Sequence, residues 1–178
     1  RTVTGVQTCA LPISVGRTLA RLRNDGVDRS PLEPLALAIL SNATTDYLGD
    51  VIAATGARYG FDATVGTFPY GQVALQALDP QSALQRSESP LLLLAVDHRG
   101  LPLVEDVGDS ARASAALAEA KDHLKTLTTA RRRDGRTLIL QTLATPSHRV
   151  FGSLDVRQAG TLRRQTTELN RFLVDELA

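Results

Sequence analysis

The sequence LALAIL at residues 35–40 decides the fold of this chain. It is a continuous apolar run of strand length, preceded by Pro34 and followed by the polar pair Ser41-Asn42. A strand that is apolar at every position, rather than at alternate ones, is typical of a parallel sheet that is buried on both faces. The run LLLLAV at residues 91–96 has the same character. These two segments therefore predict the central strands of a parallel sheet.

Around these strands, segments rich in β-forming residues alternate with segments of helical period. The predicted order is strand 35–40, helix 46–59, strand 61–68, short helix 73–78, strand 91–96, helix 111–133, strand 137–143 and helix 162–177. In the first helix, spacings of three and four place an apolar stripe against the sheet: Leu48, Val51, Ile52, Thr55 and Tyr59. Alternating strands and helices are typical of βαβ units. We therefore predict an α/β fold, a three-layer α/β/α sandwich with a mainly parallel sheet.

Composition and charge exclude several classes of partner. The chain has 178 residues, of which 43% are hydrophobic and 22% are charged, as expected for one globular domain. Its net charge of +1 provides no overall field for nucleic acid or an anionic membrane, so neither is expected as a partner. No apolar run approaches the roughly 20 residues of a membrane span. With no recognisable signal peptide and with Cys9 as the one cysteine, a cytoplasmic location is expected.

The first fourteen residues, RTVTGVQTCALPIS, resemble the translated read-through of a short-read sequencing adapter. They show no strand or helix period, and artefactual sequence is set aside in fold reasoning. The natural chain is therefore expected to begin near Val15. Residues 15–34 are expected to form a helical lead-in and residues 35–178 the α/β domain.

Candidate site residues follow the strands, because ligands of such sheets bind beyond the carboxyl ends of the strands. Asp97 and Arg99 could position a phosphate, a carboxylate or a thioester carbonyl, or could form a structural ion pair that orders their loop. The candidate binding residues are Asn42, Thr44, Gly71, Gln72, Asp97, His98, Arg99, Gln141 and His148.

Ser41 is the candidate nucleophile. It lies between the first strand and its helix, where backbone N–H groups could stabilise developing negative charge. A serine nucleophile needs a base, for which the chain offers His98, His123 and His148, and no motif selects among them. His123 belongs to the long helix, where a solvated or packed role is more common. The alternative for Ser41 and Asn42 is that they turn the chain and cap the helix.

Several common sites are absent from the sequence. No glycine-rich phosphate loop with a lysine is present, and no dinucleotide fingerprint follows the first strand. No Cys/His cluster has the spacing of a zinc site. We therefore expect no metal site and no cofactor in this chain.

Six blocks of the sequence carry a resemblance to a known family. In chain order they are ILSNATTDYL (39–48), GFDATVGTFPYGQ (60–72), ALDPQSAL (77–84), LLLLAVDHRGL (91–101), LILQTLATPSHRVFGSLD (138–155) and LNRFLVDELA (169–178). With these blocks the chain resembles the N-terminal domain of FkbH-like proteins, bacterial members of subfamily IIIC of the HAD superfamily. These proteins load glyceryl units onto acyl carrier protein in polyketide-type biosynthesis.

The resemblance implies a particular fold and implies that parts of the family's usual chain lie outside this sequence. It implies an SGNH-hydrolase-like domain, related in layout to flavodoxin, that precedes a HAD phosphatase domain. In true SGNH hydrolases the serine after the first strand is the nucleophile, which corresponds to Ser41, and Gly71 is a loose match for the second oxyanion residue. Their asparagine after the third strand would fall near Asp97 and His98, where none is present, and their Asp and His pair would lie beyond Ala178.

The expected function follows from these implications. The chain is expected to be a domain fragment, shortened at its C-terminus and inactive alone, whose partners are acyl carrier protein and the HAD domain. Magnesium is expected only in that HAD domain. The first alternative is an SGNH-type serine esterase or acyl transferase that uses Ser41. The second is a flavodoxin-like binding module without catalysis.

Overall fold

The computed structural model describes residues 5–132 and 135–177 of the chain. Its helices are α1 (Gly5–Asn24), α2 (Asp46–Arg58), α3 (Val73–Leu78), α4 (Ala83–Arg86), α5 (Ser110–Arg132) and α6 (Leu162–Phe172), the last continued by a π-helix over Leu173–Leu177. Its strands are β1 (Glu33–Ser41), β2 (Phe61–Thr67), β3 (Leu91–Ala95) and β4 (Thr137–Leu140), and short 3-10 turns occupy His98–Gly100 and Gly152–Val156. The first four residues of the adapter-like segment, the predicted helix end at Arg133 and the last residue, Ala178, lie outside the described residues.

The four strands form one sheet in which every pairing is parallel, with the order β2-β1-β3-β4. In register, Leu37 of β1 lies opposite Val65 of β2 and opposite Leu91 of β3. The predicted α/β fold with a parallel sheet is confirmed. Because the chain passes from β1 to β2 on one side and then crosses to β3 on the other, the sheet has a topological switch point between β1 and β3.

One face of the sheet carries the main core. Alternate residues of the two central strands point to this face, since successive strand side chains point in opposite directions. They join side chains of α5 and α6 in one buried apolar cluster that includes Ala38, Leu40, Leu92, Leu94, Leu124, Leu127 and Leu169. Within the part of the chain that the structure describes, no helix combines the length and apolar character of a membrane span.

The opposite face of the sheet packs against α2, through small residues. A Cβ added at Gly49 would lie 3.5 Å from Val65, and one at Gly56 would lie 3.2 Å from Ala63. Ala53, which lies between them, is buried. Gly49, Ala53 and Gly56 follow the spacing of one helix face, and their size allows the helix backbone to approach the strand closely.

The predicted apolar stripe of α2 is therefore wrong. Leu48 and Tyr59 are 38% and 76% exposed, Thr55 is also exposed, and Val51 and Ile52 are half-buried. The periodicity identified large apolar residues at helical spacing, but the close approach of α2 to β2 requires the smallest residues at the contact.

Two predicted element boundaries also differ. α1 begins at Gly5, so residues 5–14 are helical although their sequence shows no clear period, and it ends at Asn24 instead of continuing to residue 34. Gly26 ends it with φ +68°, while Val27 N–H donates to Leu22 O and Gly26 N–H donates to Arg23 O, which is a Schellman arrangement.

β4 ends at Leu140 rather than at the predicted Leu143. The backbone of Leu143 bonds to the side chain of Asn170 on α6 instead of to a neighbouring strand. Leu143 N–H donates to Asn170 Oδ1 at 2.7 Å, and Asn170 Nδ2 donates to Leu143 O at 2.9 Å.

Candidate functional site

The carboxyl ends of β1 and β3 lie side by side at the switch point. Ser41, the last residue of β1, is opposite Ala95, the last residue of β3. Asn42, the next residue after β1, and Asp97, two residues after the end of β3, therefore leave the sheet at the same edge. This is the position at which open parallel sheets bind ligands.

Asn42 and Asp97 are joined by two hydrogen bonds. Asn42 Nδ2 donates to Asp97 Oδ1 at 2.6 Å, and the backbone N–H of Asp97 donates to Asn42 Oδ1 at 2.7 Å. The backbone N–H of Arg99 also donates to Asp97 Oδ1, at 2.8 Å. The Asp97 carboxylate thus orders the turn after β3 through a backbone contact with Arg99 and ties that turn to the end of β1.

The surroundings of Asp97 favour its charged form. Burial by itself raises the pKa of this carboxyl, but the hydrogen bonds from Asn42 and from the Arg99 backbone, with the charges of His98 and Arg99, hold the pKa below its ordinary value. The carboxylate is therefore an acceptor for the Asn42 amide at neutral pH.

A cavity of about 290 Å³ opens beside this pair. Its polar lining consists of Asn42, Tyr70, Arg99 and His123, and its apolar lining consists of Val73, Ala74 and Val96. Gly71 and Gly100 complete the wall. Gly71 has φ +75°, a conformation that favours glycine, so the turn that brings Tyr70 to the cavity depends on it.

Ser41 is placed next to the cavity but does not line it. Its side chain is buried, with 9% exposure, and its Oγ accepts a hydrogen bond from the backbone N–H of Ala43 at 3.0 Å. Among the described residues, no histidine forms a hydrogen bond with this hydroxyl. Its observed contact is that of a residue that turns the chain after β1.

Gln72 takes part in a hydrogen-bond network that joins α3 and α4. Its Oε1 accepts a hydrogen bond from Nε2 of the buried Gln76 at 3.1 Å, and Gln76 Oε1 accepts from the backbone N–H of Leu84, also at 3.1 Å. Gln72 therefore supports the loop that carries Gly71 and does not itself line the cavity.

Only some of the predicted binding residues lie at the cavity. Asn42, Gly71 and Arg99 line the cavity, and Asp97 holds Asn42. Thr44, in the turn before α2, and Gln141 and His148, beyond β4, are exposed and do not line it. His98 is half-buried, and its Nδ1 is buried without a hydrogen-bond partner among the described residues.

Tyr70, Gly100 and His123 line the cavity although they are not among the predicted binding residues, and the sequence had offered His123 only as a possible base for Ser41. Ala113, Ala116, Ala120 and Leu127 are buried along α5, and position 123 completes their alternating spacing of three and four. That spacing places His123 on the inner side of α5. The spacing that places position 123 on this face could be read from the sequence. A search for apolar residues alone passes over a histidine at that position.

No protein-family model and no curated protein matches the chain. The chain is similar in fold to the N-terminal part of the protein BF1531 from Bacteroides fragilis. That crystal structure contains a phosphatase domain complexed with Mg; the likeness has a TM-score of 0.70 at 20% identity, over 90% of this chain. This chain spans 42% of the length of that solved chain.

Magnesium has no matching ligand set among the residues that the structure describes. Mg²⁺ is held by oxygen ligands, of which carboxylates are the usual protein donors. The residues that the structure describes bring together no group of three or more His, Cys, Asp or Glu side chains that could hold a metal ion. We therefore derive no magnesium-dependent step here, and the expectation that magnesium belongs to the phosphatase domain stays a prediction.

Gly100→Ala is expected to disrupt the cavity. A Cβ at this position would lie 2.6 Å from Asn42 Cγ and 2.8 Å from its Nδ2, so the amide must leave Asp97. The loss of two partly buried hydrogen bonds should lower the free energy of unfolding by about 1–3 kcal/mol, measured by urea titration. A crystal structure of the variant that retained both Asn42–Asp97 bonds would contradict the expectation.

Proposed function

We propose that this chain is the ligand- and partner-positioning domain of an FkbH-like protein and that it has no hydrolytic activity of its own. The observation that carries the proposal is the pairing of Asn42 with Asp97 beside the cavity, while the neighbouring Ser41 hydroxyl is held by the Ala43 N–H. Two of the sequence blocks that carry the resemblance, 39–48 and 91–101, thus meet beside the cavity, and the serine of the first block has a structural contact.

In this proposal the chemistry belongs to a HAD phosphatase domain that also carries the magnesium. The likeness in fold to part of a phosphatase-domain protein supports this arrangement. The proposed whole protein transfers glyceryl units to acyl carrier protein, and this domain presents a ligand or the carrier protein to the phosphatase domain.

Ser41→Ala tests the absence of hydrolytic activity. We expect the purified variant to hydrolyse p-nitrophenyl acetate at the same rate as the natural chain, within about twofold, because no base is hydrogen-bonded to the Ser41 hydroxyl. Ser147→Ala, which alters an exposed loop serine, is the matched control. Both variants are checked for folding by circular dichroism.

The opposite result favours the serine esterase or acyl transferase. A fall of about 100-fold or more in Ser41→Ala alone, with native circular dichroism, would show that the hydroxyl acts as a nucleophile. An equal fall in the hydrolysis rate of both variants would show that the rate does not depend specifically on Ser41. The hydrolysis measured with the natural chain would then be assigned to a contaminating activity.

The positioning role is tested with the other components. An isolated FkbH-like phosphatase domain is mixed with acyl carrier protein and a phosphorylated glyceryl donor, with and without this chain, and loading of the carrier is followed by intact mass. We expect faster loading with the chain present, and less acceleration with Asn42→Leu, which removes the hydrogen bonds to Asp97. Equal loading in all reactions would refute this role and favour an independent binding module.

A further inference from the structure

We propose that the cavity beside Asn42 binds a small molecule through an anionic group, a phosphate or a carboxylate, that is received by Arg99 and His123. The inference rests on the proposed function in taking this cavity as the ligand site. It adds the chemical class of the ligand and the residues that recognise it.

The charges around the cavity favour an anion. Arg99 is exposed, and neither it nor His123 takes part in any ion pair between described residues. No carboxylate is among the lining residues. The nearby acid, Asp97, is occupied by the Asn42 amide and the Arg99 backbone N–H. An arginine fork without a carboxylate partner matches the two oxygens of a carboxylate or phosphate.

The hydrogen-bonding groups of the cavity are mainly donors. Asn42 Oδ1 is occupied by the Asp97 N–H, and Nδ2 uses one hydrogen on the Asp97 carboxylate, which fixes the orientation of the amide. The second hydrogen of Nδ2 remains available. Gly71 adds a wall segment without a side chain, and a Cβ there would meet nothing within 4 Å, so a ligand can come close to its backbone.

The remaining lining limits the size and the character of the ligand. Val73, Ala74 and Val96 form an apolar wall, which suits an uncharged organic portion next to the anionic group. A volume of about 290 Å³ lies just below the roughly 300–1,000 Å³ of typical ligand sites. The ligand class is therefore a small organic phosphate or carboxylate.

The experiment is a titration of the purified chain followed by ¹H–¹⁵N NMR. The probes are phenyl phosphate, benzoate and inorganic phosphate, with phenol as the uncharged control. We expect saturable shifts of the Gly71 and Gly100 amides with phenyl phosphate or benzoate and none with phenol. Comparing phenyl phosphate with benzoate distinguishes an organic phosphate from a carboxylate as the natural source of the anion.

Variants assign the anion to the cavity. Arg99→Gln should weaken binding about tenfold or more, Arg99→Lys less, because it keeps the charge without the fork, and His123→Gln should weaken it severalfold. Arg149→Gln, which alters an exposed arginine beyond β4, is the matched control and should leave binding unchanged.

Three outcomes would overturn the inference. The first is that phenol binds as tightly as phenyl phosphate. The second is that Arg149→Gln weakens binding as much as Arg99→Gln does. The third is that the Gly71 and Gly100 amides show no saturable shift at ligand concentrations up to about 50 mM, which is 50-fold above a weak-ligand Kd of about 1 mM. None of them depends on hydrolysis, so a failure here is separate from a failure of the Ser41→Ala test. Conversely, an esterase result at Ser41 would leave the measured affinity of the cavity for anions unchanged.

Discussion

Gly160→Ala is expected to lower the free energy of unfolding by about 3 kcal/mol or more, at the upper end of the cost of overpacking. A Cβ on Gly160 would lie 1.8 Å from the backbone oxygen of Asp106 and 2.7 Å from Cα of Val107. No flexible side chain can move aside there, because the atoms that would collide are backbone atoms. Gly160 O also accepts the Asp106 N–H at 2.9 Å, so separating the two segments breaks that bond as well.

The effect is measured by urea unfolding at neutral pH, with Gly108→Ala as the control. Gly108 lies in the same loop as Asp106, but its added Cβ would be 3.7 Å from the nearest atom, an ordinary contact. We expect this control to be neutral or slightly stabilising, since alanine restricts the unfolded chain. Equal stability of the two variants would show that the loop after β3 and the start of α6 do not approach as closely as described.

Asp62→Asn is expected to cost about 2–4 kcal/mol, because it leaves two arginines without their charge partner. Arg29 Nε lies 2.7 Å from Asp62 Oδ2, and Arg23 contacts the other oxygen of the same carboxylate. The Asp62 side chain is 9% exposed, and those of Arg23 and Arg29 are 25% and 22% exposed. This cluster joins α1 and the segment after it to the start of β2.

The same cluster predicts how stability depends on pH. The hydrogen bond from Arg23 is the largest cause that lowers the pKa of Asp62 below its ordinary value of 3.8, and burial opposes it only in part. Since the carboxyl is more acidic in the folded chain, its contribution is complete above about pH 5, declines as the pH falls through the unfolded pKa, and is lost as the pH falls through the lowered folded pKa. Asp62→Asn should therefore reduce the loss of stability on acidification.

Asp50→Asn is the matched control for both expectations. Asp50 pairs with Arg17, whose side chain is 63% exposed, and exposed pairs contribute about 1 kcal/mol or less. Urea unfolding at several pH values compares the two variants with the natural chain. A stability loss at neutral pH that is no larger in Asp62→Asn than in Asp50→Asn would contradict the assigned role of the cluster.

The sheet and the edge that carries the site could be predicted from local sequence. The runs at 35–40 and 91–96 are apolar at every position, so they form buried strands whatever elements cover them. Parallel strands end at a common edge, so Asn42 and Asp97 were expected to lie near each other. The contact that joins them could not be predicted, because they are 55 residues apart and no local pattern specifies a hydrogen-bond partner at that separation.

The misses share one physical cause. The spacing of large apolar residues along α2 did not reveal that Gly49 and Gly56 meet β2, because that contact depends on how closely two elements approach. His123 lines the cavity because the position of α5 over the sheet brings it there. Gln72 is directed to Gln76 by the packing of α3, and not to the cavity by its place in the loop.

The amino-acid sequence by itself predicted the four strands, most of the helices, the parallel sheet and the edge at which a ligand could bind, but not α4 or residues 5–14 of α1. These properties follow from the local pattern of apolar residues and from the connections between elements. Only the tertiary structure decided that Asn42 is held by Asp97, that Ser41 is turned toward Ala43, and that Arg99 and His123 share a cavity. The first and third of these contacts join segments far apart in the chain, which no local pattern encodes. The Ser41–Ala43 contact is local, but the sequence left it open beside a catalytic role for Ser41.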